Sequence, residues 1–90
     1  MNVYALSPGL TFEFREDRWQ SGMCGYYNLF NPTDSPIEWS MTFRIEGTLN
    51  NSWNIQIDEQ EPDRIVASGV NWNRQIPAQG GIDFGFCTSW

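Results

Sequence analysis

The chain is 90 residues long, with 11 acidic and 5 basic side chains and no histidine. This length suits one small domain over residues 1–90, and the acidic balance argues against nucleic acid or an anionic membrane as partner, since both recruit basic patches. The absence of histidine removes the commonest metal ligand and the commonest general base, so we expect no metal, no other cofactor and no catalytic residue.

Short alternating runs separated by Gly, Pro, Asn and Asp predict an all-β fold without a helix. In chain order, the predicted strands are 2–6, 10–16, 23–31, 37–46, 53–58, 64–68 and 82–88. Seven strands at this spacing favour two antiparallel sheets packed as a β-sandwich of the immunoglobulin-like or jelly-roll-like type.

Alternation along the predicted strands separates core positions from surface positions. In 37–46, Trp39 shares its phase with Met41, which predicts a core position for this tryptophan rather than a binding role. In 82–88 the same alternation points Ile82, Phe84 and Phe86 inward. The outward residues are Asp83, Gly85 and Cys87.

The two cysteines, Cys24 and Cys87, lie far apart in the sequence, and both fall on the outward phase of their strands. A distant pair in a small domain favours one disulfide formed in an oxidising compartment, with two free buried thiols as the alternative. We therefore expect an extracellular protein. The first residues lack the basic start and apolar stretch of a signal peptide, so its signal would lie outside this chain.

Three other tryptophans, Trp19, Trp53 and Trp72, sit among small polar and turn residues. Indole is costly to leave in water, so several at polar sites imply a partner that covers them. A sugar ring suits such a surface, because it has an apolar C–H face and a rim of hydroxyls. The sequence therefore predicts a carbohydrate-binding module.

Five segments of the chain follow one another in a recognisable order: Trp19-Gln-Ser-Gly22, Ile37-Glu-Trp39-Ser-Met-Thr-Phe43, Ser52-Trp53-Asn54, Val70-Asn-Trp72-Asn-Arg-Gln-Ile76-Pro-Ala-Gln-Gly80 and Asp83-Phe84-Gly85-Phe86. Together they resemble the family 2 carbohydrate-binding modules, which are β-sandwich appendages of secreted cellulases, xylanases and chitinases. The resemblance runs from about residue 12 to residue 90.

The resemblance implies a non-catalytic, monomeric module that is fused to or associated with a glycoside hydrolase. It implies that Trp19, Trp53 and Trp72 form a flat line that stacks on successive sugar rings of an insoluble polysaccharide. Family positions on the binding face map to further ligand contacts at Asp17, Tyr26, Asn31, Asn51 and Asp83.

Gly22 bears on which polysaccharide is bound. Xylan-binding members of the family have two tryptophans instead of three, and an arginine at the position of Gly22 turns their first indole on edge. Glycine at this position leaves Trp19 free to lie flat. By this resemblance, cellulose or chitin is favoured over soluble xylan. Chitin-binding members carry two outward acids where this chain has Cys24 and Tyr26, which favours cellulose. Chitin stays open, because carboxylates near the ring line accept an amide N–H of N-acetylglucosamine; these are Glu16, Asp17 and Asp83.

Two other classes of function compete with this interpretation. A small glycoside hydrolase would use paired carboxylates, but the runs around Glu16 and Glu59 are typical of solvated faces, and a sandwich this small offers little depth. A protein-binding adhesion domain would expose its aromatics as a compact cluster rather than as a line. Coplanarity of the three tryptophans distinguishes a polysaccharide ligand from a protein partner.

The start of the chain departs from the family pattern. Family members close with one more strand after the Phe-Gly-Phe segment, and this chain instead begins with an extra predicted strand at 2–6. We hypothesise a circularly permuted arrangement in which 2–6 replaces that final strand. The hypothesis predicts an antiparallel hairpin between 2–6 and 10–16.

Overall fold

The computed structural model describes residues 2–90, so Met1 of the predicted domain lies outside the described residues. No helix occurs within 2–90, and hence none that is long and apolar enough to cross a membrane. The strands are β1 (Val3–Leu6), β2 (Thr11–Trp19), β3 (Gly22–Phe30), β4 (Ile37–Glu38), β5 (Ser40–Arg44), β6 (Thr48–Trp53), β7 (Gln56–Glu61), β8 (Arg64–Ser68), β9 (Gln75–Ile76) and β10 (Gly81–Ser89).

Two four-stranded antiparallel sheets pack against each other, which confirms the predicted β-sandwich. The sheet with the order β2-β3-β10-β6 is called the front sheet, and the sheet with the order β1-β5-β8-β7 the back sheet. A short ladder between β4 and β9 lies outside both. The front sheet contains the three longest strands, β2, β3 and β10, and β3 and β10 are its two central strands.

Aromatic side chains from both sheets fill the core. Tyr27 of β3 contacts Phe43 of β5, with ring centroids 5.3 Å apart, and Trp39 stacks on Phe84 at 5.3 Å with 13° between the planes. Because each fully buried aromatic contributes roughly 2–3 kcal/mol by removal of apolar surface from water, these rings dominate the stability of the sandwich. The core position predicted for Trp39 is confirmed, as is the inward direction of the phenylalanines of β10.

The prediction of one strand at 53–58 is wrong. Trp53 ends β6 in the front sheet, and Gln56 begins β7 in the back sheet. Between them the chain crosses the sandwich at Asn54, which has a φ of 63°, a left-handed conformation that Asn tolerates better than most residues. Strand β6 itself was not predicted, because its polar run before Ser52 is typical of a turn.

The predicted strand 37–46 also differs in detail. It divides at Trp39, whose backbone N–H donates to the Arg74 carbonyl at 3.3 Å and so joins the short ladder between β4 and β9. The alternation nevertheless persists through the break, since the inward residues of the predicted strand after Ile37 are all buried.

The predicted hairpin between 2–6 and 10–16 is wrong, and with it the hypothesis of a permuted final strand. Strand β1 crosses to the back sheet and pairs with β5, where Val3 lies opposite Phe43. Ser7 fixes the crossing, because its N–H donates to the Ser40 carbonyl at 3.1 Å and its hydroxyl accepts the Ser40 N–H at 2.8 Å. Pairing with β5 buries Val3 in the core and covers an edge that β5 would otherwise expose.

Candidate functional site

The outward side chains of the front sheet form one broad surface, called the front face. Strand register places its residues in rows that cross the sheet from β2 through β3 and β10 to β6. The first three rows are Trp19–Gly22–Ser89–Thr48, Asp17–Cys24–Cys87–Asn51 and Arg15–Tyr26–Gly85–Trp53, and the last two are Glu13–Asn28–Asp83 and Thr11–Phe30–Gly81.

Trp19 occupies the first row, at the end of the edge strand β2. Its cross-strand partner is Gly22, and its indole lies over that glycine: a Cβ at Gly22 would be 3.0 Å from Cζ2 of Trp19 and 2.5 Å from the Thr88 carbonyl oxygen. Glycine thus provides the space into which the indole folds, in keeping with the prediction that it leaves Trp19 free to lie flat. The side chain remains 50% exposed.

Trp53 occupies the third row, at the end of the opposite edge strand β6. Its cross-strand partner is also a glycine, Gly85, and a Cβ there would lie 2.5 Å from Cε2 of the indole. The Tyr26 ring lies 5.9 Å from the Trp53 ring, and the Arg15 guanidinium sits 4.4 Å above the Tyr26 ring. Arg15, Tyr26 and Trp53 therefore make a continuous band across the face.

Trp72 is the most exposed tryptophan, at 71%, and lies in the turn between β8 and β9. The neighbouring Asn73 is fully buried and holds this turn. Its side-chain oxygen accepts the Val70 N–H at 2.8 Å, and its amide donates to the Asn54 carbonyl at 2.8 Å. Because Asn54 directly follows Trp53, this bond connects the Trp72 turn to the end of β6.

Sequence reasoning missed Asn73 as a positioning residue. A polar residue in a turn beside an exposed tryptophan looks solvated, and nothing local indicates burial. A second contact at this end was also missed: the Asn54 amide donates to the Asp83 carbonyl at 3.1 Å, which ties β10 to the residue that follows β6.

A disulfide joins Cys24 and Cys87 in the second row, with the Cα atoms 4.0 Å apart, and the described residues contain no free cysteine. The predicted disulfide is thereby confirmed, and it fits an extracellular protein. Asp17 and Asn51 flank it as the outer members of the row, and both are exposed. Two of the predicted ligand contacts therefore lie between the rows of Trp19 and Trp53.

Asn31 is not available to a ligand, and its predicted binding role is incompatible with its position. It is 0% exposed, and its amide donates to the Ser35, Ile76 and Pro77 carbonyls while its oxygen accepts from Thr33. These bonds use the full capacity of the side chain and hold two turns together. Asn31 is therefore a structural residue beneath the end of the front face.

The acidic residues of β2 and β10 differ in which side of the front sheet they point to. Asp17, Glu13 and Asp83 point outward with the tryptophans, and Asp83 lies in the fourth row. Glu16 points to the opposite side, where it forms an ion pair with Arg18 at 3.0 Å, so its expected place near the ring line is wrong. Within residues 2–90 no group of three or more acidic or cysteine side chains is arranged to hold a metal ion.

A β-sandwich that presents tryptophans on the outer face of one sheet has the architecture of a carbohydrate-binding module. The sequence profile described as "Cellulose binding domain" matches residues 10–90. The chain belongs to this family, the family 2 carbohydrate-binding modules, whose members are non-catalytic, and the resemblance found in the sequence is confirmed.

Other comparisons place the fold among known proteins. A search of curated proteins gives no match. Among solved structures, Chitinase ChiA74 from Bacillus thuringiensis is similar, with a TM-score of 0.68 and 27% sequence identity. The similarity covers 89% of this chain but 13% of that chitinase, so the chain spans a small part of its length.

Proposed function

We propose that the module adsorbs to the surface of a crystalline polysaccharide, with cellulose preferred, through the front face. The observation that carries the proposal is that Trp19 and Trp53 each lie over a glycine partner on the same face of one sheet. An indole that lies over glycine with its broad surface outward would suit stacking on a sugar ring. An open sheet also suits a flat crystal surface better than a cleft does.

The spacing of the aromatics supports an extended ligand. Trp19 and Trp53 are separated by three strand spacings and four residues along the strand, which corresponds to about 20 Å between backbones. That distance exceeds one sugar ring, so one chain running from Trp19 past Trp53 to Trp72 would meet several rings. Each stacked aromatic would contribute roughly 1–3 kcal/mol by analogy with base stacking.

Polar residues between the tryptophans would supply hydrogen bonds to sugar hydroxyls. Asp17 and Asn51 lie at opposite ends of the disulfide row, Asp83 lies in the row next to that of Trp53, and Tyr26 contacts Trp53. An amide side chain offers a donor and an acceptor, and a carboxylate offers acceptors, which together match a hydroxyl rim. These four residues complete the proposed contact set.

Chitin is the second candidate ligand, and two observations favour it. The similar solved structure is a chitinase. In addition, the front face carries three outward carboxylates, which accept an amide N–H that cellulose lacks; these are Glu13, Asp17 and Asp83.

The module would act by holding an attached glycoside hydrolase at its insoluble substrate. The small share of the chitinase that the chain covers supports such an accessory role, as does the non-catalytic character of the family. Adsorption raises the local concentration of the enzyme at the surface without any catalytic group in the module. The disulfide supports secretion together with that enzyme.

Adsorption to microcrystalline cellulose, crystalline chitin and insoluble xylan tests the proposal. Trp19→Ala, Trp53→Ala and Trp72→Ala should each weaken binding to the preferred polysaccharide about tenfold or more. Trp90→Ala is the matched control, because Trp90 is as exposed as Trp19 but lies beyond the front face, with its indole N–H donating to the Gln20 carbonyl. Failure of the wild-type module to bind any of the three would refute the proposal and favour a protein partner.

A further inference from the structure

We infer that Phe30 is an additional polysaccharide contact at the far end of the front face; the inference rests on the proposed function. Phe30 is 43% exposed and occupies the fifth row, outward like the tryptophans. Phe30 thus adds apolar surface to a face that already carries Trp19 and Trp53, and apolar surface concentrated on one face marks a binding site. Because the ring shares a sheet face with Trp19 and Trp53, one flat ligand surface can cover all three.

Phe30 shares one feature with the two tryptophans, a glycine as cross-strand partner. Its cross-strand partner on β10 is Gly81, and a Cβ there would lie 3.9 Å from Cδ1 of Phe30. On the front face a cross-strand aromatic–glycine pair occurs four times, at Trp19–Gly22, Trp53–Gly85, Tyr26–Gly85 and Phe30–Gly81. Gly81 places no side chain beside Phe30, which leaves that side of the exposed ring accessible to a ligand.

The backbone that carries Phe30 is held firmly. The next residue, Asn31, is the buried side chain that joins two turns, and its backbone N–H donates to the Gly80 carbonyl at 2.9 Å. Gln79 adds a second link, since its amide donates to the Pro32 carbonyl at 2.8 Å. A ring on such a support loses little freedom on binding, which favours affinity.

The surroundings of Phe30 suit a sugar rather than a protein core. Asn28, two residues earlier on the same face, is exposed, and Glu13 and Asp83 lie on either side of it in the fourth row. These groups line one side of Phe30 with amide and carboxylate oxygens and an amide donor. A polysaccharide supplies the hydroxyl groups to bond them, together with an apolar ring face to cover Phe30.

Phe30 also lies away from the diagonal that runs from Trp19 to Trp53. It follows Gly22 and Tyr26 along β3 at intervals of four residues, or about 13 Å each. The front face thus has two aromatic directions, one across the sheet and one along β3. A ligand that contacts both must extend in two dimensions, as neighbouring chains of a crystal surface do.

The test is adsorption of Phe30→Ala to the crystalline polysaccharide that the wild type binds best. We expect binding weakened about three- to tenfold, less than for Trp53→Ala because the ring is smaller. Tyr4→Ala is the matched control, since Tyr4 is a 49% exposed aromatic of the back sheet, and its affinity should be unchanged. Phe30→Trp keeps an aromatic ring and should bind at least as tightly as wild type.

The outcomes separate the inference from the proposed function. Unchanged affinity of Phe30→Ala, when Trp53→Ala has lost binding, would overturn the role of Phe30 alone. Equal weakening by Phe30→Trp and Phe30→Ala would overturn it too, because the loss would then come from a disturbed strand. A wild-type module that binds no polysaccharide would overturn both. Thermal unfolding of each variant verifies that it is folded at the assay temperature.

Discussion

Trp53 is the cross-strand partner of Gly85, and its indole occupies the space where a side chain at that position would begin. A Cβ at Gly85 would lie 2.5 Å from Cε2 of the indole and 2.9 Å from the Gly25 carbonyl oxygen. The glycine therefore determines how the indole lies on the front face. The same relationship holds between Trp19 and Gly22.

Gly85→Ala should force the Trp53 indole away from the sheet. We expect polysaccharide affinity to fall about tenfold and stability to fall by about 1–3 kcal/mol, as is usual when a methyl group is forced into a packed site. The substitution is best made in wild type and in Trp53→Ala, with adsorption measured for all four proteins. If Gly85 acts through the indole, Gly85→Ala adds little loss of binding once Trp53 is absent. A full additional loss in the Trp53→Ala background would contradict this.

Asn73 connects the Trp72 turn to the end of β6, so its amide should matter for both stability and binding. Asn73→Asp removes the donor to the Asn54 carbonyl and places a carboxylate against that oxygen. We expect a loss of about 1–3 kcal/mol in the free energy of unfolding, together with weaker adsorption of the folded variant. Denaturant unfolding and adsorption isotherms measure the two effects.

Asn71→Asp is the matched control for that substitution. Asn71 lies in the same turn but is exposed, so the same chemical change should alter stability by no more than about 0.5 kcal/mol. Equal losses in both variants would show that negative charge in the turn is responsible, and not the buried hydrogen bond.

Alternation predicted much of this molecule, and its limits have physical causes. The inward and outward residues of β3 and β10 were predicted from alternation, because both strands are long and lie in the middle of a sheet. The same alternation placed Cys24 and Cys87 on one face, where the disulfide joins them. The strand that pairs with β1 could not be predicted in this way, because alternation indicates which face of a strand is buried but not which strand lies beside it. The crossing depends on contacts between residues distant in sequence, such as those of Ser7 with Ser40.

The surface of the candidate site was predictable in part. Trp19 and Trp72 were expected to be exposed, because an apolar side chain among polar neighbours contradicts burial, and both are exposed. Trp53 carries the same local signal but is partly buried. Asn31 and Asn73 look equally polar in the sequence, yet both are buried because their amides bond carbonyls from distant segments. Local sequence cannot distinguish an amide that bonds a ligand from one that bonds the backbone.

The disulfide should stabilise the module more than it contributes to binding. It connects two neighbouring strands across a sequence separation of 63 residues, and loss of a bridge of that span costs about 2–4 kcal/mol. Cys24→Ser/Cys87→Ser should therefore unfold at lower denaturant concentration. Adsorption of the folded fraction should persist, because the tryptophans are held by β2 and β6 through their own backbone pairing. Loss of adsorption by a fully folded variant would show that the bridge itself shapes the front face.

Stability should also depend on pH through Glu46. Arg18 donates to both Glu46 oxygens, at 3.3 and 2.9 Å, and this hydrogen bonding lowers the pKa of Glu46 below its ordinary value. A carboxylate with a depressed pKa in the folded state stabilises the folded protein at pH values above the ordinary pKa of the group. This stabilisation is lost as the pH falls through the folded-state pKa.

Wild type should therefore lose more thermal stability than Glu46→Gln between about pH 6 and about pH 3. Because the pair is exposed to solvent, the difference should be small and should shrink in high salt. Parallel melting curves in low and high salt measure it, and identical pH profiles for the two proteins would show that Glu46 contributes nothing.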